Sequence, residues 1–211
     1  MNRWLLHPAA RPAVFLLSLA PLALLLHGAV TDTLGANPAE ALIRGTGDWA
    51  LRFLCLTLAI TPLRQWTGWT ALLRLRRMLG LFCFAYALLH FAAYAWLDQG
   101  FELAAIVRDI ARRPFILVGT AALLLLLPLA ATSFDRAVRA LGGKRWRQLH
   151  RAVYAVAVLA VLHFFWMRAG KQLFGEVAVY AGILGLLLAA RLPAFRRPRP
   201  APEGRAAPGN G

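Results

Sequence analysis

Acidic residues are scarce in this chain: nine Asp and Glu stand against 24 Lys and Arg in 211 residues, a formal net charge of +15. Charged residues of both signs together make up only 16%, well short of the quarter or so found in soluble domains. With 60% hydrophobic residues, the chain holds more apolar side chains than one soluble core of this length can hide, which excludes a soluble globular enzyme. Cysteine is nearly absent too. Cys55 and Cys83 each lie in an apolar stretch with no second cysteine close by, so neither a metal knuckle nor a redox pair is present and both read as packing residues. Also missing are a phosphate-binding P-loop, a dinucleotide fingerprint, an HExxH zinc motif and a nucleophile elbow.

What the chain has in abundance is long uncharged sequence. A bilayer core about 30 Å thick takes about 20 helical residues. Residues 78–97 and 114–133 contain no Asp, Glu, Lys or Arg at all. Four further stretches are nearly as clean: 12–30 carries only His27, 48–63 includes Arg52, 150–167 has Arg151 at its start, and 173–190 has Glu176 near its start. Charges near span ends can snorkel to the headgroups, so all six read as membrane helices. The first is too long for a signal-peptide core and lacks a small-x-small cleavage site at the right distance, so it reads as a helix. Residues 31–47, with Gly, Pro and Asn, read as a loop.

Six spans place both termini on one side, and the distribution of basic residues says which. The termini with segments 64–77 and 134–151 carry 17 Lys or Arg, against 7 elsewhere. By the positive-inside rule both termini are cytoplasmic. The expected fold is therefore all-α, a six-helix transmembrane bundle over residues 12–192, with a short cytoplasmic N-terminus (1–11) and a disordered Pro- and Arg-rich cytoplasmic tail (193–211). The positive charge then reads as topology and contact with membrane lipid, and no nucleic acid partner is expected.

Three of the five histidines, His90, His150 and His163, sit in or at the edge of these spans. An ionisable side chain in hydrocarbon is costly, so it faces the bundle interior, and there it either packs through a hydrogen bond or ligates a cofactor. Depth bears on the choice. The third and fifth spans both run outward; His90 lies 13 residues beyond Arg77 and His163 lies 12 beyond Arg151. At about 1.5 Å per residue both imidazoles stand about 18–20 Å above the basic inner edge. A haem between the two helices at that level would take one imidazole on each axial face, an arrangement suited to electron transfer. His150, 13 residues before His163, lies about 20 Å lower and about 140° around a straight helix, so a site there needs a distorted helix or a different azimuth. Opposite it stand Arg76 and Arg77 rather than a histidine. With Arg74, Lys144, Arg145 and Arg147 they form basic inner loops that set topology and that can also attract haem propionates, a flavin phosphate or an acidic donor protein.

At RRMLGL (76–81), ALLHF (87–91) and KRWRQLHRAVYAVAVLAVLHFFW (144–166) the chain resembles the MsrQ (YedZ) family of ferric reductase-like transmembrane domain proteins. The likeness extends through LGANPAEALIRGTGDWAL, LAITPL, RRPFILVG and LAATS, and covers nearly all of residues 12–192. It implies a haem b protein of the bacterial inner membrane that passes electrons to MsrP, a periplasmic molybdopterin enzyme reducing methionine sulfoxide in oxidised proteins. The family's haem histidines fall on His90, His150 and His163; Arg77, from the basic inner loops, is the further candidate cofactor contact. Related oxidases and metalloreductases carry two histidines on each of two helices. This chain lacks the fourth, so one haem or two remain open. The resemblance also brings FMN as a cofactor, and the quinone pool or a cytosolic flavin reductase as electron donor. Two other classes compete: a small transporter or proton channel using the intramembrane histidines and Glu176, and a cofactor-free scaffold whose histidines only pack.

Overall fold

The computed structural model describes residues 6–169, 172 and 174–192. Among these residues there is helix and no strand: α1 (Ala10–Val30), α2 (Pro38–Thr67), a 3-10 turn (Thr70–Leu72), α3 (Leu73–Leu97), α4 (Leu103–Arg112), α5 (Pro114–Ala131), α6 (Asp135–His150), α7 (Val153–Ala169) and α8 (Phe174–Ala189). The expected all-α bundle is therefore present. Four helical stretches, Ala10–Val30, Thr70–Leu97, Pro114–Ala131 and Asp135–Ala169, are long and apolar enough to cross a membrane, and α8 is a shorter apolar helix. Their outer faces stay bare: Leu17, Leu24, Leu124, Val158 and Leu186 are all exposed, a surface that water would not tolerate and lipid would. The expected tail at 193–211 lies outside the described residues.

Helix α2 starts ten residues earlier than the apolar run suggests, converting part of the expected 31–47 loop into helix. Its residues are those of a helix start. The Asn37 side chain accepts from the Glu40 backbone N–H at 3.0 Å, and Pro38 takes the first turn, where its missing donor costs nothing. At the other end Gly68 closes the helix in the left-handed conformation (φ 75°). The basic segment 134–151 is also largely helical. It forms α6, kinked at Gly142.

Two helix pairs make the body of the bundle, α2 with α3 and α5 with α7, and α3 packs against α5 to join them. The core runs between them through Leu54, Leu58, Tyr86, Val156 and Ala157. Tyr86 also ties in α1. Its hydroxyl donates to the Ser18 carbonyl at 2.9 Å and accepts from the Leu22 N–H at 3.0 Å, two groups that an uninterrupted helix pairs with each other, next to Pro21. Tyr86→Phe is expected to weaken the bundle by only about 1 kcal/mol, because Ser18 and Leu22 can pair again within α1. Unfolding in mixed detergent micelles measures it, and a loss above about 3 kcal/mol would mean that the two backbone groups stay unsatisfied.

A cleft between facing imidazoles

His90 on α3 and His163 on α7 come from different helix pairs and meet in the middle. Their ring centroids are 6.0 Å apart, with the planes at 73°. The two Nδ1 atoms are each within 2.7 Å of a backbone carbonyl, Ile43 on α2 for His90 and Phe115 on α5 for His163. A carbonyl only accepts, so each Nδ1 carries the proton and donates. Each Nε2 is then the unprotonated nitrogen, the tautomer that a metal ligand requires.

Two imidazoles alone do not hold a bare metal ion, and among the described residues no group of three or more His, Cys, Asp or Glu is placed to do so. They suit a metal that brings its own equatorial ligands. A metal–imidazole nitrogen bond is about 2 Å, so two such bonds on opposite sides of one metal, with the ring radii added, span about 6 Å. The spacing of the two rings fits that sum. Around them opens a cleft of about 270 Å³, walled mainly by apolar side chains such as Leu51, Phe91, Ile116 and Leu123.

Charged and polar residues collect at one end of this cleft. Tyr94, one turn beyond His90, donates to Asp109 at 2.8 Å, and Asp109 in turn holds Arg113 at 2.8 Å. On the other side Arg168 lies 2.9 Å from Glu176 and 3.6 Å from Asp48. Arg113, Asp48 and Arg168 all line the cleft. None of the three stood out in the sequence, and Glu176 is an ion-pair partner there rather than a lone end residue.

His150 lies elsewhere. It ends α6, and the turn at Arg151 and Ala152, with Arg151 N–H to Gln148 and Ala152 N–H to Leu149, separates it from α7. The straight helix assumed for the 140° offset is therefore broken between the two histidines. The His150 ring stacks on Trp146 at 4.0 Å, and its Nε2 is 3.1 Å from the Thr132 hydroxyl. It lines a second, smaller cleft of about 90 Å³ together with Arg76, Arg77 and Ser133. Arg77 is paired with Asp135 at 2.6 Å, and its guanidinium holds that exposed carboxyl below the usual carboxylate range. Leu54, Cys83 and Leu126 line both clefts and form the partition between them. Both cysteines are free thiols, Cys83 buried in that wall.

A helical membrane bundle with imidazoles facing across its centre is the architecture of a transmembrane redox component, and residues 46–161 match the family described as ferric reductase like transmembrane component. Relatives narrow the class. The protein-methionine-sulfoxide reductase heme-binding subunit MsrQ of Polaromonas naphthalenivorans is 60% identical over 191 residues, 90% of this chain and 87% of the relative. Proteins of the same name from Azospira oryzae (55% identical; 87% of this chain, 78% of the relative) and Rhodospirillum rubrum (55%; 90% of each) agree. The chain belongs to the MsrQ family. No solved structure matches it.

Proposed function

We propose that this protein is the membrane electron-transfer subunit of a methionine sulfoxide repair system, a multi-pass inner-membrane protein that feeds a periplasmic MsrP-type molybdopterin reductase. The observation that carries it is the pair of facing imidazoles, His90 and His163, with the family membership beside it. These two residues would hold a b-type haem, each imidazole fixed by its Nδ1 donor bond. Haem, when bound, would supply one-electron chemistry. The chain's own residues do the rest. Helices α3 and α7 set the spacing, the apolar wall excludes water, and the carbonyls of Ile43 and Phe115 set tautomer and basicity.

Helices α1, α2, α3, α5, α7 and α8 are the six crossings, with both termini cytoplasmic and α4 and α6 at the two membrane faces. The excess of Lys and Arg in the termini, 64–77 and 134–151 supports that orientation. The inner cleft of His150, Arg76 and Arg77 then faces the cytoplasm, where electrons enter from the quinone pool or a flavin reductase. Its basic rim suits an anionic electron carrier, a second haem through its propionates or FMN through its phosphate.

Purified in detergent from haem-replete cells, the protein is expected to show a Soret band and a dithionite-induced α band, and a colourless preparation would overturn the reading in favour of a transporter or scaffold. His150→Ala is expected to slow donor-driven reduction of the outer haem at least tenfold while leaving its low-spin spectrum in place. A pyridine haemochrome count and a flavin fluorescence count on the same variant assign the inner carrier: halved haem identifies a second haem, and unchanged haem with lost flavin identifies FMN.

A further inference from the structure

Each imidazole of the central pair rests against a glycine. A Cβ at residue 47 would lie 3.0 Å from Nδ1 and 3.1 Å from Cε1 of His90, and a Cβ at residue 119 would lie 2.8 Å from the same two atoms of His163. Carbon atoms pack comfortably at about 3.5 Å or more, so beside an alanine the His163 ring would have to move, and the His90 ring would have to give by a few tenths of an ångström. The carbonyl that accepts from each Nδ1–H lies four residues before the glycine: Ile43 precedes Gly47, and Phe115 precedes Gly119. In an α-helix those residues are one turn apart on the same face. Both rings therefore lie over one helical turn, hydrogen-bonded to the carbonyl at its start and touching the bare Cα at its end.

The arrangement occurs twice, on helix pairs α2/α3 and α5/α7, which differ in sequence around it. Glycine weakens a helix interior relative to alanine, so two interior glycines at matching offsets call for a reason beyond helix formation. We infer that Gly47 and Gly119 are positioning residues that seat the axial imidazoles, letting each ring close on its carbonyl and aim Nε2 at the metal. The inference rests on the proposal that His90 and His163 hold haem. It adds a role for two residues that touch neither iron nor substrate. An alanine methyl would push the ring off its carbonyl, which loosens ring orientation and lowers the basicity of the ligating nitrogen.

The test compares Gly47→Ala and Gly119→Ala with Gly185→Ala, a helical glycine on α8 where a Cβ would meet nothing. Each holoprotein is purified in detergent and read by haem content, ferric low-spin electron paramagnetic resonance and midpoint potential. Thermal unfolding after haem extraction reports folding separately. Both pocket variants are expected to fold, with unfolding temperatures within a few degrees of the parent because the helix gain of alanine offsets the displaced ring, yet to lose at least fivefold in haem content or to change their low-spin signal and potential. Gly185→Ala is expected to match the parent in all readouts. Full haem with unchanged signal and potential in both pocket variants overturns the seat. So does failure of both to fold while Gly185→Ala folds, since that outcome assigns the glycines to helix packing. His90→Ala and His163→Ala run in parallel: if they also retain the parent spectrum, the ligand assignment itself has failed, and if they lose it while the glycine variants do not, only the positioning role has.

Discussion

Haem-replete preparations of His90→Ala and of His163→Ala are expected to retain less than about a tenth of the low-spin haem of the parent. Outer-layer partners of a metal ligand change affinity by about 10–100-fold, and removing the ligand itself strikes harder. Either substitution leaves one axial imidazole, so any residual haem should be five-coordinate and high-spin. The fold should survive. Both rings are only half-buried, and most of the buried core, Leu58, Leu75, Leu79 and Tyr86 among it, does not line their cleft. His27→Ala is the matching control, since that imidazole is exposed on α1. A normal low-spin spectrum in both pocket variants would leave the 6.0 Å approach of the two rings without a redox role.

That His90 and His163 stand at one level was legible because helical rise is constant. Counting from Arg77 and Arg151 needs no tertiary information. Azimuth is different. Whether His150 shares a face with His163 depends on the turn at Arg151 and Ala152, and nothing in that apolar and basic stretch announces a break. The start of α2 was misread for the opposite reason. Asn37, Pro38 and Glu40 look like loop composition, yet in that order they cap a helix, and order rather than content was the signal. Spans with few charges were easy to find, while α4 and α6, which are short and amphipathic or basic, carry no such mark. Least legible were contacts between distant residues. Asp48 and Arg168 are 120 positions apart, and Gly47 gains its meaning only from a ring on another helix.

That long-range ion pair supports the second large effect. Arg168 is 13% exposed, and its guanidinium lies over the Phe164 ring at 5.1 Å while reaching Glu176 on α8 and Asp48 on α2. One side chain thus ties three helices together at the mouth of the imidazole cleft. Arg168→Leu keeps much of the apolar stem but removes the cation, leaving the partly buried Asp48 carboxylate without that partner. Breaking a fully buried pair from one side is destabilising by about 3–5 kcal/mol and an exposed one by about 1 kcal/mol or less; with Glu176 largely exposed and Asp48 partly so, this case falls at about 1–2 kcal/mol. Adding Asp48→Asn should return part of the loss, because the carboxylate stranded by the first substitution is then neutral. A coupling of about 1–3 kcal/mol between the two positions is the expected size for groups in direct contact. Unfolding of the haem-free protein in mixed micelles measures all four members of the cycle, and strict additivity would show that Arg168 acts by packing on Phe164 alone. The haem signal reports the same charge independently. A cation lining the cleft favours the reduced iron, so Arg168→Leu should move the midpoint potential downward, and Asp48→Asn alone should move it upward.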